Sequence, residues 1–356
     1  MKKINSFNLS TMICALCCSS FYGVFSSYIL HETLNSSLIS LLIGYIFSLV
    51  ISSLILKLFN IRKNEPFSEK LINIYGKLGK IIIIICILCS LFAFILLSYR
   101  LTTFISNQYL IDTKRYLILL MIIITTYYTA SKGIETTLRV STISFYISLI
   151  IFLFDLFSLI PQIKLTNLTP LIDVSFKKII INSLLFSLYF TISTTQIYSI
   201  KRINVDNKFN KWFYIMISFS FFIIFSSVFT MIGVNSIKVT TLFDYPVYST
   251  LKRIKLFSFL DSIENISILA WFYFILNSCS MFLFFSFNTI KDTFKLNKKK
   301  SKIINIIIII LLYLIPYFFF LNTNYNESYN YIYIPLIIEG IVLLIVILSL
   351  IKNRFK

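Results

Sequence analysis

Apolar runs of about 20 residues recur along the chain, separated by short polar connections. About 20 helical residues cross the roughly 30 Å hydrocarbon core of a bilayer, and inside that core backbone polar groups must pair within their own segment. The runs therefore predict an all-α integral membrane protein of about ten transmembrane helices. They are Leu9 to Leu30, Leu38 to Phe59, Leu78 to Ile105, Tyr116 to Ala130, Thr137 to Ile160, Ile179 to Ile200, Trp212 to Gly233, Ile263 to Thr289, Ile303 to Leu321 and Tyr331 to Ile351. Helices one to five cover about 9–160 and helices six to ten about 179–351, in a single polytopic membrane domain over 1–356.

With 58% hydrophobic and only 13% charged residues, the chain has more apolar surface than one soluble core can hide, so the bilayer is its solvent. A net charge of +19 would suggest nucleic acid in a soluble protein. Here Lys and Arg collect in alternate connections, and no basic soluble domain exists to hold nucleic acid. A cytoplasmic amino terminus puts 23 of them inside and 10 outside, with both termini in the cytoplasm. Helices one to five then start inside and helices six to ten start outside. This 5+5 inverted arrangement is used by transporters that bind substrate at the midplane, between discontinuous first helices of each half. Lys2 and Lys3 before an apolar run resemble a signal peptide, but the run is a full span without a small-residue cleavage site, so it is kept as helix one.

Between helices seven and eight, Val247, Leu251, Ile254 and Phe257 or Ser258 recur at helical spacing among basic residues, predicting an exterior amphipathic helix over about 245–260. Glycine is scarce, so Gly23 in mid-span is informative. Ser19, Ser20, Tyr22, Ser26 and Ser27 surround it with hydroxyls able to satisfy backbone groups freed by a local break. Close helix packing explains the same small residues. Helix six carries a matching cluster, including Tyr189, Phe190, Thr191 and Ser193, with neither Gly nor Pro, so the case for a break is weaker there. Hydroxyls in both clusters offer hydrogen bonds to a zwitterionic ligand, and Asn277 in helix eight adds a polar group at midplane depth.

Ionisable residues within spans are costly and mark function. Asp155 and Glu339 are candidates for ion or proton coupling, whereas Arg100 and Glu264 are expected to snorkel to the interface. Cys86 and Cys89 form a CxxC, but inside an apolar helix this spacing places two small side chains on one face. The single histidine, His31, stands at an outer helix end, and no metalloprotease, phosphate-loop or dinucleotide motif occurs. No catalytic residue, metal or cofactor is expected. A membrane polysaccharide polymerase is a less favoured reading, since it would need charged exterior loops and these loops are short with few carboxylates.

Three places resemble the spore germination permease family, the polytopic B subunits of nutrient germinant receptors. Gly133-Ile134-Glu135 with Arg139 is similar to the family's cytoplasmic turn before helix five, and Leu165 to Leu171 to its exterior Asn-Leu-x-Pro connection. Tyr245-Pro246, Arg253-Ile254, Phe259-Leu260, Glu264 and Trp271 follow in family-like order. The resemblance implies the amino acid, polyamine and organocation transporter fold and a small nutrient ligand such as an amino acid. It also implies the inner membrane of a spore and partnership with A and C subunits. An amino-acid secondary transporter of the same fold is the alternative.

The orientation is directly testable. A cysteine introduced at Lys299 is expected to resist an impermeant thiol reagent added outside sealed cells, and labelling there would reverse the topology.

Overall fold

The computed structural model describes residues 4–254, 264–319 and 330–354. The first apolar run folds as α1 (Ser6–Ser20), a π-turn (Phe21–Phe25) and α2 (Ser26–Thr33), together one span. The second span is α3 (Ser37–Asn60), followed by a linker helix α4 (Phe67–Tyr75). The third to fifth are α5 (Leu78–Gln108), α6 (Arg115–Ser131) and α7 (Ile134–Leu159). The sixth combines α8 (Phe176–Thr191) with a 3-10 stretch (Ile192–Ser199), and the seventh is α9 (Phe209–Asn235). Short helices α10 (Ile237–Thr240) and α11 (Pro246–Leu251) lead to α12 (Glu264–Thr293), α13 (Lys298–Phe319) and α14 (Asn330–Arg354), spans eight to ten.

Among the described residues, eight helical stretches are long and apolar enough to cross a membrane. The ten expected spans exceed this number for local reasons. One stretch, Ser26–Asn60, crosses Leu34, whose φ of 49° ends α2; α1 stops after 15 residues at the π-turn, and α6 has only 17. Contacts assign α2 to the first span. Ile4 bridges Val205, Ser193 reaches Leu16, and Lys178 pairs with Glu32 at 3.1 Å, so the first span runs antiparallel to the sixth. The second runs parallel to the sixth, with Asn35 against Asp173, Gly44 against Phe186 and Ile55 against Tyr198. A Cβ on Gly44 would lie 2.8 Å from the Ser183 carbonyl, so only glycine lets these two backbones approach so closely.

The helix pairings form a pattern. The second span packs on the sixth as the seventh packs on the first, and the fifth packs on the first and eighth as the tenth packs on the sixth and third. Likewise the fourth packs on the eighth as the ninth packs on the third. Each pairing becomes another when helices five places apart are exchanged, as two structurally equivalent five-helix halves require. Apolar side chains such as Ile46, Met121, Phe157 and Ile307 face outward, where lipid rather than protein covers them.

The expected amphipathic helix is shorter than its sequence spacing. It runs Pro246–Leu251 and passes into a turn at Lys252, with Tyr248, Leu251 and Ile254 buried; residues 255–263 lie outside the described residues. The one-sided burial survives although the helical spacing does not.

At the opposite end, Asp206 caps two helices. Its Oδ2 accepts the Ser6 N–H at 2.9 Å, opening α1, and its Oδ1 accepts the Lys208 N–H at 3.0 Å, just ahead of α9. Burial pushes the Asp206 carboxyl up, but the hydrogen bonds from Ser6 and Lys208 and the Lys208 charge outweigh it and hold the carboxyl below its usual value of 3.8. A depressed carboxyl stabilises the fold above its unfolded value, and the contribution is lost as pH falls through the lower, folded value. Asp206→Ala is expected to lose about 1–2 kcal/mol in thermal unfolding at pH 7. Its difference from the wild type should fade below pH 3.8. An unchanged midpoint at pH 7 would remove the cap from this account.

Candidate functional site

The first span loosens around Gly23. In the π-turn Ser26 N–H bonds Phe21 C=O, one residue further than in an α-helix, which leaves carbonyls without their usual donor. The Gly23 carbonyl takes the Arg100 Nε–H at 2.9 Å. Arg100 therefore does not snorkel as the sequence suggested. It is 7% exposed, and its guanidinium also lies 5.8 Å from the Tyr245 ring. Break and close packing coexist here: a Cβ on Gly23 would meet Leu97 Cδ2 at 2.7 Å and Ile275 Cδ1 at 3.9 Å. Ser19 Oγ lies 2.7 Å from Ser278 Oγ, and Tyr22 OH 2.6 Å from Ser227 Oγ, tying the turn to the eighth and seventh spans.

The sixth span also abandons α geometry, without glycine or proline. Thr194, Thr195 and Ser199 each donate a side-chain hydroxyl to the carbonyl three residues back, at 2.6, 2.7 and 2.8 Å. Such bonds compete with the α-helical ladder and fit a 3-10 stretch, so the hydroxyl run itself accounts for the break. The 3-10 stretch meets α1 just ahead of the π-turn: Ser193 Oγ donates to the Leu16 carbonyl at 3.3 Å, which Ser20 Oγ also reaches at 2.9 Å.

Beside them lies a cavity with about 830 Å³ of atom-free space, part of it open to the surroundings. Ser20, Ser90, Tyr189, Ser193, Gln196 and Glu339 supply polar groups, and Phe67 of α4 forms part of one wall. A second cavity, of about 660 Å³, holds Tyr22, Asp155 and Ser267, with Val247 and Leu251 of α11 in its wall. The two correspond when helices five places apart are exchanged: each has one carboxyl on the last span of its half and one linker helix in its wall. They differ at that carboxyl. Ser267 Oγ donates to Asp155, whereas Glu339 Oε2 is buried without a partner among the described residues.

The residues expected from sequence are thus divided. Tyr189 and Ser193 line the larger cavity and Tyr22 the second, while Tyr22 and Ser26 join Tyr245, Pro246 and Trp271 around a smaller space. Ser19, Gly23, Phe190, Thr191 and Asn277 line none of these three cavities. Phe190 stacks on Phe186 at 5.2 Å, Thr191 donates to the Ser187 carbonyl, and Asn277 is buried in α12. Sequence reasoning passed over Ser90 and Gln196, which bond to each other at 3.0 Å. Ser90 could have been noticed as a hydroxyl within the otherwise apolar run from Ile81 to Leu97.

The spore permease family model, described as spore germination protein, matches residues 3–328. The chain belongs to the spore germination permease family. It is therefore a germination-related, multi-pass membrane protein. No curated protein matches it.

The motifs that carried the resemblance sit apart from the larger cavity in this permease. Gly133, with φ 95°, starts α7, and Glu135 lies 3.9 Å from Arg139 with both side chains exposed. Phe104 gathers Trp271 at 4.5 Å and Tyr245 at 4.9 Å, both edge-on. Trp271 Nε1 is buried without an acceptor among the described residues; Phe259, Leu260 and the Glu264 side chain lie outside them. An exposed ion pair contributes under about 1 kcal/mol. Glu135→Gln is accordingly expected to leave the germination response and protein level unchanged, and an altered response at normal abundance would contradict a structural role.

Proposed function

We propose that this permease is the nutrient-sensing membrane subunit of a germinant receptor, binding a small nutrient such as an amino acid in the larger cavity. The observation that carries this reading is that the sixth span leaves α geometry where it lines a cavity with polar and apolar walls, packed against the end of α1 just before the π-turn of the first span. Irregular backbone at membrane depth is tolerated where it is buried in protein or lines a cavity, and such sites hold ligands in transporters. Ser20, Tyr189 and Ser193 contact the ligand, while Ser19, Gly23, Ser26, Phe190, Thr191 and Asn277 shape the two breaks and the helices around them. Arg100 holds the first break in place through the Gly23 carbonyl.

Binding triggers germination by favouring one of two arrangements of the halves, which requires that the cavity differ between them in shape or polarity. Both termini lie in the cytoplasm, in the inner membrane of the spore, and A and C subunits receive the signal. The exchangeable pairing of the halves also suits an amino-acid transporter, and uptake of labelled nutrient into sealed vesicles separates the two.

Ser193→Ala removes the hydroxyl that ties the sixth-span break to α1 at the cavity wall. A lost hydrogen bond of about 1 kcal/mol is expected to raise the nutrient concentration for half-maximal germination about fivefold. Immunoblotting should show normal protein. Ser144→Ala, whose hydroxyl bonds within α7, serves as control and should respond as wild type. Equal sensitivity of both variants would dismiss this cavity as the nutrient site.

A further inference from the structure

The larger cavity is rich in acceptors and poor in donors. Ser20 and Ser193 donate to the Leu16 carbonyl, Thr195 to Ile192, Ser90 to Gln196 Oε1 and Tyr198 to the Ile55 carbonyl. Each hydroxyl has one proton, so these groups turn lone pairs, not hydrogens, toward any occupant. The Gln196 amide nitrogen and the Tyr189 hydroxyl also stand at the wall and carry hydrogens. Glu339 adds a carboxyl whose Oε2 is buried without a partner among the described residues, and among those residues no Lys, Arg or His lines the space. The other titratable groups around it are Cys86, Cys89, Tyr189 and Tyr198, none of which becomes cationic. Among the described residues the ion pairs engage Glu32, Glu65 and Glu135 instead.

A carboxylate in a weakly solvated site is costly without a countercharge. Aromatic rings stand nearby: Phe67 stacks on Tyr198 at 4.9 Å and lies 5.9 Å from Phe285, and all three face the cavity. Ring faces attract cations. An anionic group would meet oxygen lone pairs and a carboxylate.

We propose that this cavity is a site for a monovalent cation, held by Glu339 and the surrounding oxygen acceptors. An organic ammonium suits it better than a bare ion, because its N–H groups match the acceptors and the apolar wall at Ala93, Leu96 and Val342 takes a carbon tail. Asp155 in the corresponding cavity does not share this role, since Ser267 already donates to it. The inference rests on the nutrient reading only in identifying the ammonium as the nutrient's own; the cation site itself stands on the cavity's chemistry.

The test uses the full chain in lipid nanodiscs at constant ionic strength set with N-methylglucamine, a cation chosen for its bulk. Replacing it stepwise by ethylammonium is expected to raise the thermal unfolding midpoint in a saturable way. Glu339→Gln should move the half-effect concentration at least tenfold or abolish the rise. This variant removes a charge and no partner, so it should fold; Glu339→Asp keeps the charge and should retain the response at a shifted concentration. Potassium and sodium arms identify the source, since a rise with an alkali ion but not with ethylammonium assigns an inorganic cation to the same carboxylate. No rise with any of these cations, an unaltered rise in Glu339→Gln, or stabilisation by sodium propionate beyond that of sodium chloride would overturn the site. A Glu339-dependent rise with normal nutrient sensitivity in Ser193→Ala spores sinks the nutrient reading alone, and the converse result sinks the cation site alone.

Discussion

Backbone polar groups in a bilayer have no water to turn to, and the two irregular stretches of this permease depend on that constraint being met locally. At the first, a buried arginine from the neighbouring span satisfies the Gly23 carbonyl. At the second, a row of threonine and serine hydroxyls occupies carbonyls three residues back and supports the tighter 3-10 turns. Both solutions use groups that hydrocarbon would otherwise penalise. Arg100 stays inside the protein because a carbonyl and a tyrosine ring stand in for water.

The rest of the architecture follows from where these segments pack. The π-turn lies against the third span, and the 3-10 stretch lies against the eighth, reaches the Leu16 carbonyl of α1 and borders a cavity whose counterpart in the other half has its own carboxyl and linker helix. Equivalent packing makes a pair of such cavities available, but the side chains make them unequal. One carboxyl has a serine donor and the other, among the described residues, an oxygen without a partner.

Anchors outside the hydrocarbon hold the spans in register. The Asp173 carboxylate accepts the Asn35 and Ser36 N–H groups and the Ser36 hydroxyl at the turn between the first two spans. Asp206 does similar work at the opposite ends of the first and seventh. Neither aspartate lies in a span, and each serves backbone donors that a helix start leaves unpaired.

The sequence by itself determined the class of the protein, because about 20 apolar residues per crossing is a requirement of bilayer thickness. It also determined the helix boundaries to within a few residues and the exposed Glu135–Arg139 pair one helical turn apart, and it marked Gly23, a rare glycine among hydroxyls, without choosing between a local break and close packing. What lies between helices was decided only by tertiary structure. Arg100 looked like a snorkelling residue because the carbonyl that holds it is 77 positions away. The sixth span gave no glycine or proline to mark its break, since hydroxyls become helix breakers only when their local carbonyls are the best acceptors left to them. Ser90, Gln196 and Glu339 come from three different spans and form one wall only after those spans pack. Local periodicity encodes which face of a helix avoids water, whereas a binding cavity depends on which faces meet.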